Sequence, residues 1–510
     1  MKSTLLKQAN SEIIELVKSL QGNKTLMIDP TVETLINISL NHKIQSIKNL
    51  GVIEIYYLSI LKPNTETVLY FIRENRNNLN IIIDQLLKYP KYKYYIYMVP
   101  RLSLTVPRIF EMEGLHGKCI FGELKYINLL PTNNGILSMN FPIELSTFEL
   151  LDNPKLAHDV GFTLKKFGNI PEICGTGIIS NKISKFLQHS TEETSDIIFD
   201  KLFLIDRQYD LITPLSTPVT YTGIVNELLP EIVFDPLKDN VYNDIKYMNI
   251  AEVGTYLNTL VKNLKSLKSE HDLNISDKDK LEKTKLLVEN MKHYNKNNID
   301  FHVNILEKVI KLYDKQLVNI EDNIKIGNDM EEQIETYIER IIIESINNYK
   351  EYTKDEINKH KTNSVMKILK LLCLTSLCGH NIDNKYRKTI IQTYGYKYGL
   401  IFEKLKEYGL IKQSKTLGDT IVDLIPGEIE ISNTMPKIIN KLNKEKKDPK
   451  YFYFGKPIKH KNGKILVFVV GGITHDEIAE LKKFNIRNTK VYIGSTNMTS
   501  GPELIKSFIV

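Results

Sequence analysis

Strand-like segments crowd the two ends of this chain and nearly vanish from its middle, and that distribution limits the fold more than any single motif. Short β-branched and aromatic runs begin at Thr25 ("TLMID"), Gly51 ("GVIEIYYL"), Val68 ("VLYFIR") and Tyr94 ("YYIYMVP"), with helical patterns such as "NIIIDQLLKY" between them. Such alternation reads as a parallel sheet covered by helices. A second αβ series follows: the helical "PKLAHDVGFTLKKF" from Pro154, a glycine-containing turn at "CGTGIIS", another helix to Leu187, and the strand "LFLID" ending at Asp206. From Leu229 to about residue 455 the periodicity is helical, with apolar positions at Ile305, Val309, Leu312 and Ile320. Ser276 to Asp279 resembles a capping box, and the charged "NNYKEYTKDEINKHKTNS" from Asn347 to Ser364 reads as an exposed loop or insertion.

The strand signal then returns. "GKILVFVVGG" is a nearly continuous apolar strand closed by Gly471 and Gly472, "THDEIAELKKF" is a helix, "TKVYIGS" a strand and "GPELIKSFIV" a last helix with Pro502 in its first turn. The expected fold class is α/β plus α: an αβ domain over 1–130, a second, discontinuous αβ domain over 131–229 and 455–510, and an inserted, mainly helical domain over 230–454. In that reading the tail completes a sheet begun before the insertion.

Composition narrows the function. Hydrophobic residues make up 42% and charged residues 25%, as in ordinary globular proteins, and the longest apolar run, Ile465 to Ile473, is about half of the ~20 residues a membrane-spanning helix needs. No secretory signal is read at the N-terminus, whose apolar residues recur at helical spacing. Four cysteines, Cys119, Cys174, Cys373 and Cys378, are too few for a disulfide framework and are expected to be reduced. The net charge of +7 comes from lysine spread along the chain, so no nucleic-acid partner is read from it.

The chain lacks a phosphate loop, an H-E-x-x-H pair, a G-x-S-x-G elbow and paired C-x-x-C motifs. "GTG" at Gly175 does not follow a convincing strand and reads as a turn. "VFVVGGITHDEI" has the strand, glycine turn and helix start that can cradle an anion, but Asp476 and Glu477 occupy the first helical turn and complement the helix dipole themselves. His475 is expected to face solvent. In "LFLIDRQYDLITPLSTPVTYTGIVNELL", Leu202 to Leu229, Asp206, Arg207 and Asp210 stand at a strand end, where αβ proteins place sites. An arginine between two carboxylates lowers their pKa values and makes poor general acids, so the trio is expected to be a structural ion-pair and turn network. No catalytic residue, metal site or cofactor is read.

That same segment closely resembles the L-D-R-x-x-D-x-x-T-P-L-x-x-x-x-T-Y-x-G-x-x-x-E hallmark of the Sec/Munc (SM) family of vesicle-fusion regulators. Asp206, Arg207, Asp210, Thr213, Pro214, Tyr221, Gly223 and Glu227 fall on it. "YYIYMVPRLSLTVPRIFEMEGLHG", "LLPTNNGILSMNFP", "IPEICGTGIISNKI", "FHVNILE", "LKLLCLTSLCG", "IIQTYGYKYG" and "LVFVVGGITHDEIAEL", which holds Gly471 and Gly472, resemble its vacuolar protein sorting 33 branch in the family's order.

The resemblance implies an arch of three domains, two αβ and one helical, and a non-enzymatic role. It implies binding of Qa (syntaxin-like) and R-type SNAREs and promotion of their assembly during transport from endosome to vacuole or lysosome. It also implies work as the SM subunit of HOPS or CORVET tethers beside a vacuolar protein sorting 16-type subunit, cytoplasmic and held peripherally on membranes by its partners. The SNARE-facing hairpin is expected at about 280–345, with His302, Asn304 and Glu307 matching the family's pattern there. Two departures stand out. The chain is shorter than usual for the branch, and no Y-x-Y-x-G-Y-A-P-L-S stretch lies between "EYGLIKQ" and "YFYFGKP", near the expected tether surface. The alternatives are an αβ enzyme binding a nucleotide or phosphometabolite, and a tether subunit without SNARE binding.

Overall fold

The computed structural model describes residues 2–132, 135–142, 154–189, 198–234, 238–271, 296–347, 354–412, 435–444, 450–455, 463–484 and 489–507. These divide into two compact units: Met1–Arg207, Lys441–Gly472 and Asn485–Met498 form the first, and Gln208–Asn440, Ile473–Phe484 and Thr499–Val510 the second.

The first unit carries two sheets. Strands β1 (Lys24–Ile28), β2 (Val52–Tyr57), β3 (Thr67–Arg73), β4 (Lys93–Val99) and β5 (Cys119–Glu123) are all parallel, in the order β2-β1-β3-β4-β5. Helices α1 (Lys2–Ser19), α2 (Pro30–Ser39), α3 (Arg76–Lys88) and α4 (Thr105–Met112) cover it. Every residue of β1 and β3 is buried, because both faces of the sheet are roofed by apolar clusters.

The second sheet has the order β10-β8-β9-β11-β12-β7-β6. Its strands are β6 (Leu130–Pro131), β7 (Leu137–Ser138), β8 (Glu172–Thr176), β9 (Lys201–Asp206), β10 (Tyr451–Gly455), β11 (Lys464–Val470) and β12 (Lys490–Ser495), with helices α5 (Pro154–Lys165) and α6 (Ile178–His189). The late strand β11 lies between β9 and β12, parallel to both, with Val467 opposite Phe203. A strand from the end of the chain thus sits beside one some 260 residues earlier. The expectation of a mere turn at "CGTGIIS" is corrected: residues through Thr176 form β8, whose Cys-Gly-Thr stretch lacks the β-branched run that marks a strand.

The second unit is helical. In order it contains α7 (Ile212–Leu215), α8 (Tyr221–Leu228), α9 (Asn240–Ile245), α10 (Ile250–His271), α11 (Lys296–Leu312), α12 (Lys315–Ile326), α13 (Glu331–Asn347), α14 (Lys354–Leu377), α15 (Asn384–Tyr394), α16 (Tyr396–Glu407) and α17 (Met435–Lys444), which crosses into the first unit. Helices α18 (His475–Lys483) and α19 (Gly501–Lys506) complete it. The loop expected over Asn347–Ser364 is corrected where described. Residues 354–364 are the first turns of α14, whose apolar stripe starts only at Val365, so its lysine- and asparagine-rich start carries no helical signature. Ser276–Asp279 lies outside the described residues. Among the described residues no helix is long and apolar enough to cross a membrane.

Candidate functional site

At the carboxyl end of the wholly buried β9, Asp206 is 3% exposed. Its oxygens accept from the backbone N–H of Ile179 (2.9 Å) and Ser180 (2.9 Å) and from Ser180 Oγ (2.6 Å), at the first turn of α6. A helix start of this kind is an anion site, and here the anion is the protein's own carboxylate. Gly177 (φ +106°) makes room, since a Cβ there would lie 2.1 Å from Asp206 Oδ2. Burial pushes the Asp206 carboxyl up to about 6 despite those hydrogen bonds. The expected lowering by Arg207 is thereby corrected: burial and helix donors set this group, and Arg207 Nη1 instead donates to Gly472 O at 3.3 Å. Gly471, just past the end of the neighbouring β11, donates its N–H to Thr496 Oγ1 (3.0 Å).

Beyond Arg207 the signature segment enters the second unit, and there its polar groups meet one helix after another. Asp210 accepts from Thr213 N (3.0 Å) and Oγ1 (2.6 Å), closing the turn that leads into α7, where Pro214 is buried. Thr217 N and Oγ1 donate to Glu321 of α12 (2.7 and 3.0 Å). Val219 N, Thr220 N and Thr220 Oγ1 donate to Asp476 of α18 (2.9, 3.1 and 2.6 Å). Thr220 in turn caps α8 through Gly223 N, and a Cβ on Gly223 would press to 2.8 Å from Pro218. Glu227 Oε1 receives Lys370 Nζ of α14 at 2.5 Å.

Tyr221 reaches furthest inward. Its hydroxyl lies 2.7 Å from His302 Nδ1 of α11, and His302 Nε2 lies 2.9 Å from Asp239 Oδ2, which also caps α9 through Tyr242 N. Burial raises the Asp239 carboxyl, but the hydrogen bonds from His302 and Tyr242 N outweigh it and the group sits below its ordinary value. The ionised carboxylate only accepts, so His302 donates from Nε2, and in the neutral tautomer that this selects the ring receives the Tyr221 O–H at Nδ1. Of the three α11 residues singled out in the sequence, His302 is fully buried in this relay, whereas Asn304 and Glu307 are exposed.

The expectation that His475 faces solvent is corrected. It stands a turn before the inward-facing Ile478 and Ala479, is 6% exposed and accepts from Asn226 Nδ2 (2.8 Å). Burial, then the nearby Lys482, lowers its pKa to about 4. The anion cradle considered at "GGITHDEI" is occupied from within: Thr474 and Glu477 form a capping box, and Asp476 is turned to the signature segment. Among the described residues no His, Cys, Asp and Glu group is arranged to hold a metal.

Two residues central to this network escaped the sequence reading. Glu321 interrupts the inward stripe Leu317, Ile320 and Ile324, and Lys370 interrupts the apolar run from Ile368 to Leu374. A lone charge inside such a stripe was the available signal, because it must be paired when buried.

Both strand-end cradles hold the protein's own carboxylates, and the signature segment spends its polar groups holding helices. A family model described as the Sec1 family matches residues 24–507. The chain belongs to the Sec1 family. The rat vacuolar protein sorting-associated protein 33A is 24% identical over 68% of this chain and 64% of that protein. The Arabidopsis thaliana vacuolar protein-sorting-associated protein 33 homolog is 24% identical over 80% of this chain and 72% of its own length. Among solved structures, the SM protein Vps45 in complex with the Qa SNARE Tlg2 superposes over 99% of this chain and 97% of that one. Its TM-score of 0.55 at 16% identity establishes a shared fold.

Proposed function

We propose that this Sec1-family chain binds SNARE segments and promotes their assembly in transport between endosome and vacuole or lysosome. It acts in this reading without catalysis, as the SM subunit of a HOPS- or CORVET-like tether. The observation that carries the proposal is the match to the Sec1 family over residues 24–507, joined to relatives named for vacuolar protein sorting. The geometry supports it physically. The signature segment fixes α11, α12 and α14 by buried polar contacts, giving a preordered helical surface. A free SNARE segment loses conformational entropy on becoming helical, so a rigid surface that holds two of them in register lowers the barrier to their assembly.

The partners in this reading are Qa and R-type SNAREs, a vacuolar protein sorting 16-type subunit and the other tether subunits, which hold the chain on endosomal and vacuolar or lysosomal membranes. The segment lacking the Y-x-Y-x-G-Y-A-P-L-S stretch includes residues 413–434, which lie outside those described; a reduced tether is the corresponding form of the complex. The enzyme reading loses support because carboxylates already occupy the candidate phosphate positions.

Affinity purification of the tagged protein from native cells, with identification of co-purifying chains, tests partner, complex and compartment together. Recovery of tether subunits and SNAREs is expected, with no thermal shift on adding ATP, GTP or NAD. A robust nucleotide shift without SNARE recovery would reverse the reading in favour of the enzyme.

A further inference from the structure

The inward-turned lysines of this chain are of two kinds. Lys201 faces Glu172 (2.9 Å) and Lys370 faces Glu227, so each is paired with a carboxylate. Lys24 and Lys166 donate instead to neutral oxygens. Lys24 Nζ reaches Gly22 O (2.9 Å) and Leu50 O (3.1 Å) and is 3% exposed, which shuts it away from solvent. Lys166, the residue after α5, reaches Asn128 Oδ1 (3.3 Å) and Leu129 O (3.2 Å), with its Nζ 5.8 Å from the centre of the Phe167 ring. Unlike Lys24 it is only partly buried.

The charge acting on Lys166 is that of Glu12 on α1, whose oxygens are already taken by the backbone N–H of Lys125 (2.6 Å) and Tyr126 (2.8 Å). Burial prevails over Glu12 and brings the Lys166 ammonium down to about 7. A lysine in that state carries a free lone pair at neutral pH, where an ordinary lysine is almost wholly protonated, and the neutral amine is the nucleophile. The second observation lies on the other side of the contact. Asn128 is 1% exposed, and its Nδ2 has no hydrogen-bond partner among the described residues, although its Oδ1 accepts from Lys166. Both atoms belong to one planar amide, so an unused N–H donor stands beside the amine. A buried donor without an acceptor is costly, and an oxygen carried on Nζ would supply one.

We propose that Lys166 is a site of acylation by short-chain acyl thioesters, with Asn128 Nδ2 receiving the acyl oxygen. The Nζ lone pair attacks the thioester carbonyl carbon. The N–C bond forms, the C–S bond breaks, and the sulfur leaves as a thiol carrying the proton that the nitrogen gives up. Asn128 donates to the oxygen while it is an oxyanion and afterwards to the amide carbonyl. The product is neutral, keeps one N–H for Leu129 O and removes a charge that burial opposes. Neither step depends on SNARE binding.

The test is acetylation of the folded full chain by acetyl coenzyme A, read lysine by lysine with mass spectrometry from about pH 6 to about pH 10, with circular dichroism on each sample. Near pH 7 Lys166 is expected to react about tenfold faster than the exposed Lys91. Its rate is expected to level off above about pH 8, where an ordinary lysine is still gaining neutral amine. In urea-unfolded chain the difference between the two lysines is expected to vanish. Asn128→Asp sets a carboxylate against Nζ and removes the donor, so it is expected to bring the Lys166 rate down to that of Lys91 with the fold retained. A wild-type Lys166 rate no higher than that of Lys91 near pH 7, or one still rising at about pH 10, would overturn the proposal. So would a preference for Lys166 that persists in the unfolded chain. An unchanged rate in the aspartate variant would overturn the part given to Asn128.

Discussion

Lys370 Nζ lies 2.5 Å from Glu227 Oε1, with the lysine 2% exposed, so a helix in the middle of the second unit is tied to the last acid of the signature segment by a buried ion pair. Glu321, 1% exposed, stands 3.9 Å from the same ammonium. Burial opposes the charge on Lys370, but the two carboxylates more than offset it and hold its pKa above the ordinary value. Removing one member leaves buried charge unmatched, so Lys370→Ala is expected to cost about 3–5 kcal/mol in denaturant unfolding. Glu227→Gln combined with it should be strongly non-additive. A cost below about 1 kcal/mol, or additive behaviour, would mean the pair is not integral to the fold.

Tyr221→Phe deletes the donor to His302 Nδ1 while keeping the ring, which packs edge-on against His302 at 5.5 Å between centroids. A buried acceptor left without its partner costs roughly 1–3 kcal/mol. Unfolding of the variant measured by circular dichroism should show that loss, and the chemical shift of the His302 ring nitrogens should move. Wild-type stability with an unmoved histidine signal would rule out the relay.

Gly177→Ala should be among the most damaging small substitutions in the chain, because the added methyl meets Asp206 in a left-handed backbone position. Strain and displacement of the carboxylate from the α6 donors predict about 2–4 kcal/mol of destabilisation. Retention of the wild-type melting temperature would contradict the described fit.

Two buried groups give opposite pH dependences in one window. The Asp206 pKa is raised to about 6 in the fold, so its contribution is fully present below the unfolded value near 3.8 and is lost as pH rises through about 6. The His475 pKa is lowered to about 4, so its contribution is present above the unfolded value of 6.5 and is lost as pH falls through about 4. Melting temperature between pH 4 and 6 should therefore rise with pH more steeply in Asp206→Asn than in wild type, and less steeply in His475→Gln. Opposite slope changes, or none, would refute these assignments.

Much of this architecture was legible because buried strands and helices impose periods of two and 3.6 on apolar residues. The continuous run Ile465–Val470 announced a central strand, and it lies between β9 and β12. The α/β-plus-α class and the Sec1-family resemblance are both confirmed. Local pattern gave no access to partners distant in sequence. Asp206 looked paired with its neighbour Arg207, but its donors are Ile179 and Ser180, which the parallel pairing of β8 and β9 brings to it. His302 drew notice only through its place in a family pattern, while its phase on α11 with Ile305 and Val309, which turns it inward, gave no hint of the partners Tyr221 and Asp239. His475 was misread, since a single polar residue at a helix start does not reveal which face will be covered.

The most direct measurement of the proposed function is the rate of SNARE bundle formation from soluble Qa, R and remaining SNARE motifs, followed by energy transfer with and without the purified full chain. Acceleration is expected, together with direct binding of both the Qa and the R motif. An unchanged assembly rate and no binding of either motif, from protein that is folded by circular dichroism, would contradict it.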